Sequence, residues 1–311
     1  MDPASLFTRH PGNPMLSPER WPYAVNAVMN AGAASVGDET VLLCRVEDRR
    51  GFSHLACARS RDGVSNWVVD LEPALAFDGS HPEEEWGLED PRVTYVEELG
   101  RWIISYTAFG PGGPGVSLAQ TEDFRHFERL GMALTPEDKN GVLLPRRVNG
   151  DWVLFHRPTS VHGADIWLSR SPDLERWGTP EQVLSRRAGG WWDSARIGMG
   201  APPLETEHGW LVVYHGVRET VAGGLYRAGL ALLDLEDPAR VLRRSPEWVL
   251  GPQAPYEVTG DVPNVVFPCG LVHDTAADRL SLYYGAADTC IGLATAKCSE
   301  VLEYLLECPE A

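Results

Sequence analysis

Short hydrophobic runs, each introduced by a glycine or aspartate turn, recur along the whole 311-residue chain. The runs are rich in β-branched and aromatic residues and have the length of a strand. The five clearest cover residues 40–46, 101–106, 151–156, 209–215 and 279–284. No amphipathic helical pattern extends beyond about three turns. The hydrophobic pattern therefore predicts a protein built almost entirely of β-strands.

A second strand of small residues follows each of these runs, at residues 55–60, 116–121, 166–171, 227–234 and 291–296. In the first three copies it leads into a polar turn and then an aromatic residue, namely Trp67, Phe127 and Trp177. An aspartate in the turn can accept hydrogen bonds from the turn's own backbone, and the aromatic ring can cover a gap between sheets. Five copies at a spacing of roughly 50 to 60 residues predict a five-bladed β-propeller rather than the alternative, a β-sandwich. No linker or change in composition divides the chain, so we predict a single domain over residues 1–311.

Composition narrows the classes of partner. A hydrophobic content of 43% and a charged content of 23% are typical of a soluble globular protein, and a net charge of −17 argues against nucleic-acid binding. We find no secretory signal and no stretch of roughly 20 apolar residues, so we expect a cytoplasmic protein with no membrane partner. The six cysteines form no Cys-x-x-Cys pair and are expected to be buried free thiols. The histidines lack regular ligand spacing, so no metal site is predicted.

One segment, Gly87-Leu88-Glu89-Asp90-Pro91-Arg92, places two carboxylates and a guanidinium around a proline. Pro91 favours an extended conformation at Asp90 and so determines where its carboxylate points. In a functional interpretation, Asp90 is a general acid that Arg92 orients or tunes. In a structural interpretation, the segment is a turn capped by a surface ion pair. The local sequence alone favours the structural interpretation.

Basic residues lie at the ends of the strands that we take as the first strand of their blades. Arg45 ends the run in the first blade, where either an ion pair with a neighbouring carboxylate or a bound sugar would satisfy it. Lys139 and Arg157 flank the run in the third blade, and His215 ends the run in the fourth, with Tyr226 further along. Three cations at one mouth of a propeller channel would form an anion site, and a planar guanidinium suits phosphate. Taken alone, basic residues in such positions are more often structural.

Taken together, these segments resemble glycoside hydrolase family 130, the β-mannoside phosphorylases and β-mannosidases, whose members are five-bladed propellers. The resemblance extends in order over essentially the whole chain. It rests on residues 13–14, 26–33, 45–48, 87–92, 156–158, 192–198, 209–217 and 284–288. The set is specific, although no single segment is. Met29 and Cys44 stand where phenylalanine and an aromatic residue are more usual.

The resemblance implies inverting phosphorolysis of a β-mannoside, in which phosphate attacks C1 and α-mannose 1-phosphate is released. Asp90 matches the catalytic acid, whose proton reaches the glycosidic oxygen through a hydroxyl of the bound mannose. The positions implied for substrate binding are Asn30, Arg45, Glu89, Arg92, Arg196 and Asp288. Those implied for phosphate binding are Lys139, Arg157, His215 and Tyr226. Inorganic phosphate is a co-substrate, and no cofactor is implied.

Chemistry favours phosphorolysis over hydrolysis on these residues. An inverting hydrolase needs two carboxyl groups about 6.5–9.5 Å apart, one of which activates water. Phosphate is already a nucleophile, so a phosphorylase needs one acid together with cations that hold the anion. Two alternatives stay open, namely a β-1,2-type β-mannosidase on the same fold and a non-catalytic sugar-binding propeller. The sequence does not define the linkage or the acceptor sugar, and it leaves a homo-oligomer open.

Overall fold

The computed structural model describes residues 2–159 and 164–310, and β-strands form most of its regular structure. A short strand, β1 (Thr8–Arg9), comes first. The first sheet contains β2 (Ala27–Val36), β3 (Glu39–Glu47), β4 (Ser53–Ser60) and β5 (Val68–Val69). The second sheet contains β6 (Gly87–Val96), β7 (Arg101–Gly110), β8 (Gly113–Thr121) and β9 (Glu128–Leu134). A parallel bridge between Ser53 and Gly87 connects these two sheets.

Three more sheets follow in chain order. The third contains β10 (Asp138–Leu143), β11 (Trp152–Pro158), β12 (Ile166–Ser171) and β13 (Glu181–Leu184). The fourth contains β14 (Arg196–Met199), β15 (Leu204–Thr206), β16 (Gly209–Thr220), β17 (Gly223–Leu233) and β18 (Val241–Arg244). The fifth contains β19 (Val266–Asp274), β20 (Arg279–Ala286) and β21 (Cys290–Lys297), together with β1. The predicted all-β class is confirmed.

Helices are few and short within the described residues. The α-helices are α1 (Pro255–Val258) and α2 (Cys298–Glu307), and 3-10 turns cover Pro3–Ser5, Pro18–Arg20, Pro82–Glu84 and Glu97–Leu99. Helix α2 buries Val301 and Leu305 in the core shared by the fourth and fifth sheets. No helix in the described part of the chain has both the length and the apolar character that a membrane crossing requires.

The predicted strand pairs are all present as antiparallel neighbours: β3–β4, β7–β8, β11–β12, β16–β17 and β20–β21. Their predicted place in the sheets is wrong, because each hydrophobic run forms the second strand of its sheet and not the first. The first strands are β2, β6, β10, β14 and β19. They contain small residues because they pack closely on one another. A Cβ added at Gly32 of β2 would lie only 2.8 Å from Val93 of β6.

Side chains of the second strands point alternately into the two neighbouring sheets, which explains their uninterrupted hydrophobic runs. Leu43 of β3 packs with Ile104 of the second sheet, whereas Leu42 packs with Tyr283 of the fifth. Other buried clusters join the second sheet to the third, the third to the fourth and the fourth to the fifth. Each sheet thus shares a core with the next, and the fifth shares one with the first. All six cysteines are buried free thiols, as predicted.

The polar turns after the small-residue strands behave as predicted. Asp62 accepts hydrogen bonds from two backbone N–H groups of its own turn, at 2.9 and 2.7 Å. Asp123 and Asp173 repeat this arrangement in the second and third sheets. Trp67 packs edge-on against Tyr283 of the fifth sheet, with ring centroids 6.2 Å apart. The first three sheets therefore share the same turn, and Trp67 packs across the junction between the first and the fifth sheet.

Strand β1 adds an N-terminal segment to the fifth sheet, where Thr8 pairs with Thr295 and Arg9 with Ala294 of β21. Arg9 also donates to both carboxylate oxygens of the buried Glu257, at 2.7 and 2.9 Å. The fifth sheet is therefore completed by residues that are nearly 290 positions apart in the sequence.

Candidate active site

Three of the first strands carry the same irregularity. Asn30 in β2, Asp90 in β6 and Asn140 in β10 have φ values of 48°, 49° and 55°, and the strand register shifts at each of them. Asparagine and aspartate tolerate this left-handed conformation better than other residues with a side chain. The prediction that Pro91 holds Asp90 extended is therefore wrong, because the bulge places Asp90 in the left-handed region. Each bulge directs a polar side chain into the interior.

Asp90, the predicted catalytic acid, is held by groups from two neighbouring strands. Its Oδ1 accepts a hydrogen bond from Asn30 Nδ2 at 2.8 Å and lies 3.3 Å from a terminal nitrogen of Arg45. Burial acts to raise the pKa of Asp90. The charges of Arg45, Arg92 and Lys139, together with the bond from Asn30, outweigh burial and hold this pKa below its usual value. At neutral pH, Asp90 is therefore an anion.

Glu89 connects the surroundings of Asp90 to Lys139. One of its carboxylate oxygens lies 3.3 Å from Arg45, and the other lies 3.2 Å from Lys139 Nζ. Arg45 also contacts Glu47 at 3.1 Å, which is one of the two predicted ways to satisfy its charge, an ion pair with a neighbouring carboxylate. Burial acts to lower the pKa of Arg45, but the surrounding carboxylates outweigh it and raise this pKa. Arg45 is thus a permanent cation inside a cluster of acids.

Arg92, predicted to bind substrate, is fully buried behind Asp90. Its guanidinium donates to the backbone carbonyl oxygens of Asp90, Met199 and Gly200, at 2.6, 3.2 and 3.0 Å. It also lies over the ring of Phe267, 5.4 Å from the centroid. These contacts tie β6 to the fourth sheet and leave a positive charge behind the carboxylate of Asp90.

Arg157 of β11 and His215 of β16 meet in the interior, where a terminal nitrogen of Arg157 lies 3.2 Å from His215 Nε2. An arginine side chain can only donate hydrogen bonds, so this nitrogen of His215 accepts one and the imidazole is neutral. Burial, followed by the charges of Arg157, Arg92 and Arg196, holds the pKa of His215 well below its usual value. The prediction of His215 as a third cation is therefore wrong.

Arg157 remains a cation although it is nearly enclosed. Burial, followed by the charge of Arg196, lowers the pKa of Arg157 to about 10, which still leaves it protonated at neutral pH. Its Nε has no hydrogen-bond partner among the described residues. A buried guanidinium with an unused N–H is an electrostatically unsatisfied group, which an anion would complete.

Tyr226 and Arg196 border this pair. A terminal nitrogen of Arg196 donates to the Tyr226 hydroxyl at 2.7 Å, and the other lies 2.8 Å from Glu219. The ring of Tyr226 stacks beside that of His215, with centroids 6.4 Å apart and an angle of 26° between the planes. Three of the four predicted phosphate-binding residues, Arg157, His215 and Tyr226, thus lie in one group that includes Arg196.

Asp288, also predicted at the site, has a pKa above its usual value, whereas the pKa of Asp90 lies below it. Burial, followed by the negative charge of Asp90, raises the pKa of Asp288 to about 7, against the opposing effect of Arg45. Asp288 therefore titrates near neutral pH in the field of a carboxylate that is ionised. Separated pKa values of this kind in neighbouring acids are a feature of catalytic sites.

Asn140 is a candidate that the sequence reasoning missed. Its Nδ2 is buried and has no hydrogen-bond partner among the described residues. A Cβ at Gly198 would clash with this amide and lie 2.5 Å from His215 Cε1, so a glycine is needed where the two groups meet. The available signal was position, because Asn140 follows Lys139 and occupies in β10 the bulge position that Asp90 occupies in β6.

The structure brings together three potential metal ligands whose spacing in the sequence does not indicate a metal site. Ligand atoms of His273, Asp278 and Cys298 lie within 4.8 Å of one another. Both carboxylate oxygens of Asp278 accept hydrogen bonds from Ser299, one from its backbone N–H and one from its hydroxyl. The contacts of Asp278 therefore cap the start of α2, and its oxygens already have donors.

The structure thus brings together the largely buried carboxylate of Asp90, held by Asn30 and Arg45, and the buried guanidinium of Arg157. A carboxylate of this kind is suited to acid–base chemistry, and a buried guanidinium is suited to binding an anion. A family model described as β-1,4-mannooligosaccharide phosphorylase matches residues 16–307. The chain belongs to this family, glycoside hydrolase family 130, and the predicted family is confirmed.

Two relatives and one solved structure are similar to this chain over most of its length. A protein named β-1,4-mannooligosaccharide phosphorylase, from Ruminococcus albus, is 34% identical over 98% of this chain and 92% of its own length. A protein named β-1,2-mannobiose phosphorylase, from Listeria innocua, is 38% identical over 82% of this chain and 69% of its own length. The solved structure of β-1,2-mannobiose phosphorylase from Listeria innocua, in complex with β-1,2-mannobiose, has a TM-score of 0.88. It is 30% identical and covers 96% of this chain and 99% of that chain.

Proposed function

We propose that this chain is a phosphate-dependent glycoside phosphorylase, which cleaves β-mannosides with inversion and releases α-mannose 1-phosphate. The observation that carries the proposal is the buried Arg157, which bonds the neutral His215 and has an unused N–H among the described residues. Bound phosphate would supply the missing negative charge. The names of the relatives, which are phosphorylases of mannooligosaccharides and mannobiose, support the same activity.

The acid cluster is the proposed sugar side of the site. Asp90 is the general acid, and Asn30 orients its carboxylate through the 2.8 Å hydrogen bond. Arg45, Glu89 and Asp288 bind hydroxyl groups of the mannosyl unit, since charged groups form strong hydrogen bonds to hydroxyls in a buried site. Arg92 acts from behind, because its bond to the backbone carbonyl of Asp90 fixes where the carboxylate points.

The cationic group is the proposed phosphate side. Lys139 and Arg157 neutralise the dianion, and Asn140, His215 and Tyr226 bind its oxygen atoms. Arg196 was predicted to bind substrate and holds the Tyr226 hydroxyl at 2.7 Å, so we place it at the border of the two sides. Phosphate held here attacks C1 from the face opposite the departing oxygen, which produces inversion.

Phosphate binding also prepares the acid. Before phosphate binds, Asp90 is an anion because nearby cations, among them Lys139, favour its charged form. A phosphate dianion beside Lys139 and Arg157 offsets these charges and adds its own, so it raises the pKa of Asp90. Bound phosphate therefore favours the protonated form of Asp90, and the proton passes through a mannose hydroxyl to the departing oxygen.

We further propose that the five sheets are the blades of one closed propeller, which forms a single domain over residues 1–311. The cores shared by successive sheets, and by the fifth and the first, support closure. In this arrangement the first strands surround the central channel. This accounts for the meeting of Asn30 and Asp90 across two sheets.

Incubation of mannobiose with and without phosphate tests the function, with 31P NMR used to detect α-mannose 1-phosphate. We expect turnover only with phosphate, and a panel of β-1,4 and β-1,2 mannosides will define the linkage. Turnover that is undiminished without phosphate would instead identify a β-mannosidase. Sugar binding without turnover, unchanged in Asp90→Asn, would identify a binding module.

A further inference from the structure

A buried chain of polar side chains lies on the third sheet, directly behind the proposed phosphate side. Asp138 Oδ2 lies 2.7 Å from His156 Nδ1, and His156 Nε2 lies 3.1 Å from the hydroxyl of Ser169. All three residues are at most 5% exposed, so substrate cannot reach them. The arrangement resembles a hydrolase triad in composition, but its burial excludes a nucleophilic role.

The other carboxylate oxygen of Asp138 shows which backbone groups these buried side chains hold in place. Asp138 Oδ1 accepts hydrogen bonds from the backbone N–H of Lys139 at 2.8 Å and from that of Arg157 at 3.1 Å. Lys139 and Arg157 are paired across β10 and β11, immediately before the register shift in this pair of strands. One carboxylate therefore fixes the backbone of both proposed phosphate cations where the regular ladder is interrupted.

The hydrogen bonds among Asp138, His156 and Ser169 orient these side chains relative to one another. A carboxylate accepts hydrogen bonds, so His156 donates from Nδ1 to Asp138, and its Nε2 is hydrogen-bonded to the hydroxyl of Ser169. The imidazole thereby fixes the orientation of the carboxylate, and Ser169 fixes the orientation of the imidazole. We propose that Asp138 and His156 are positioning residues that set the spacing of Lys139 and Arg157 for phosphate. This inference rests on the proposed phosphorylase function.

Two substitutions of similar size separate positioning from general packing. In His156→Asn the side-chain amide lies where Nδ1 was and can still donate to Asp138. In His156→Gln the amide lies where Nε2 was, so the bond to Asp138 is lost. We expect His156→Gln to raise the KM for phosphate and the Kd of phosphate by about 10- to 100-fold. His156→Asn should restore most of the affinity, and the KM for mannobiose should stay near that of the wild type in both.

Asp138→Asn is the second variant, and Asp165→Asn is its matched control. Asp165 is also a buried carboxylate of the third sheet, and it accepts hydrogen bonds from the backbone N–H of Arg186 at 2.8 Å and from Gln182 at 3.1 Å. It does not bond Lys139 or Arg157. We expect both Asp→Asn variants to lower the melting temperature, and only Asp138→Asn to weaken phosphate binding.

The Kd of inorganic phosphate is measured by isothermal titration calorimetry, and the two KM values are measured by the release of α-mannose 1-phosphate. Equal phosphate affinity in His156→Asn and His156→Gln would overturn the positioning role, as would parallel rises in both KM values. An equal loss in Asp165→Asn would also overturn it. Turnover of the wild type without phosphate would contradict the proposed function, whereas the calorimetry still decides whether the pair controls phosphate binding.

Discussion

Substitution of Asp90 by asparagine should remove most turnover of mannobiose while it preserves the fold. An asparagine is almost the same size as an aspartate and keeps an oxygen that can accept the 2.8 Å hydrogen bond from Asn30. Arg45 keeps its contacts to Glu47 at 3.1 Å and Glu89 at 3.3 Å, so its position is retained. The loss is therefore confined to the ionisable group that protonates the departing oxygen.

The size of the effect depends on the leaving group. General acid catalysis contributes about 10²- to 10⁴-fold in rate, which corresponds to about 2.7–5.4 kcal/mol of transition-state stabilisation. A sugar alkoxide is a poor leaving group and needs this contribution in full. A dinitrophenolate departs without a proton, so Asp90→Asn should slow a dinitrophenyl β-mannoside by less than about tenfold.

The assay compares phosphate-dependent release of α-mannose 1-phosphate from mannobiose and from 2,4-dinitrophenyl β-mannoside. Glu47→Gln is the matched control, because Glu47 contacts Arg45 and has no bond to Asp90. The control should slow both substrates by the same factor. Equal slowing of both substrates by Asp90→Asn would refute the role of general acid, and unchanged rates would remove Asp90 from the chemistry.

Three further predictions concern the phosphate side and pH. Arg157→Ala should raise the KM for phosphate by about 10- to 100-fold and leave the KM for mannobiose near its original value, and equal losses in both would contradict its assignment. Gly198→Ala should also raise the KM for phosphate selectively, because its Cβ displaces the Asn140 amide and the His215 ring, and an unchanged value would contradict that contact. The raised pKa of Asp288, about 7, means that between about pH 4 and pH 7 the folded protein binds a proton that the unfolded chain has lost. This contribution to stability is present at low pH and is lost as pH rises through 7. The melting temperature of Asp288→Asn relative to wild type should therefore be higher at pH 8 than at pH 5, and a constant difference would contradict it.

The second strands were predictable from sequence because both faces of each strand are buried. Residues such as Leu42 and Leu43 face different sheets, so apolar side chains occupy consecutive positions and produce an unmistakable run. The first strands were not predictable, because their close packing requires small residues such as Gly32 and their bulges interrupt the pattern. The fivefold repeat was therefore recognised from the central pair of strands of each sheet alone.

The candidate site was also predictable from the sequence only in part. The types and order of its residues were readable, including Asp90 and Arg157, since polar residues stand out within hydrophobic sequence. The charge of His215 was not readable, because its pKa depends on burial and on arginines from three different sheets. The left-handed conformation of Asp90 and the contact of Asn140 with His215 also depend on neighbouring strands, which the local sequence does not specify.

The pairing of β1 with β21 has a consequence for the time course of biosynthesis. Thr8 leaves the ribosome long before its partner Thr295 has been synthesised. At about 5–20 residues per second, the delay is roughly 15–60 s. During this interval β1 is an unpaired strand whose backbone N–H and C=O groups are open to any other strand. The last sheet is thus completed only after β21 has been synthesised, and until then β1 is open to pairing with strands of other chains.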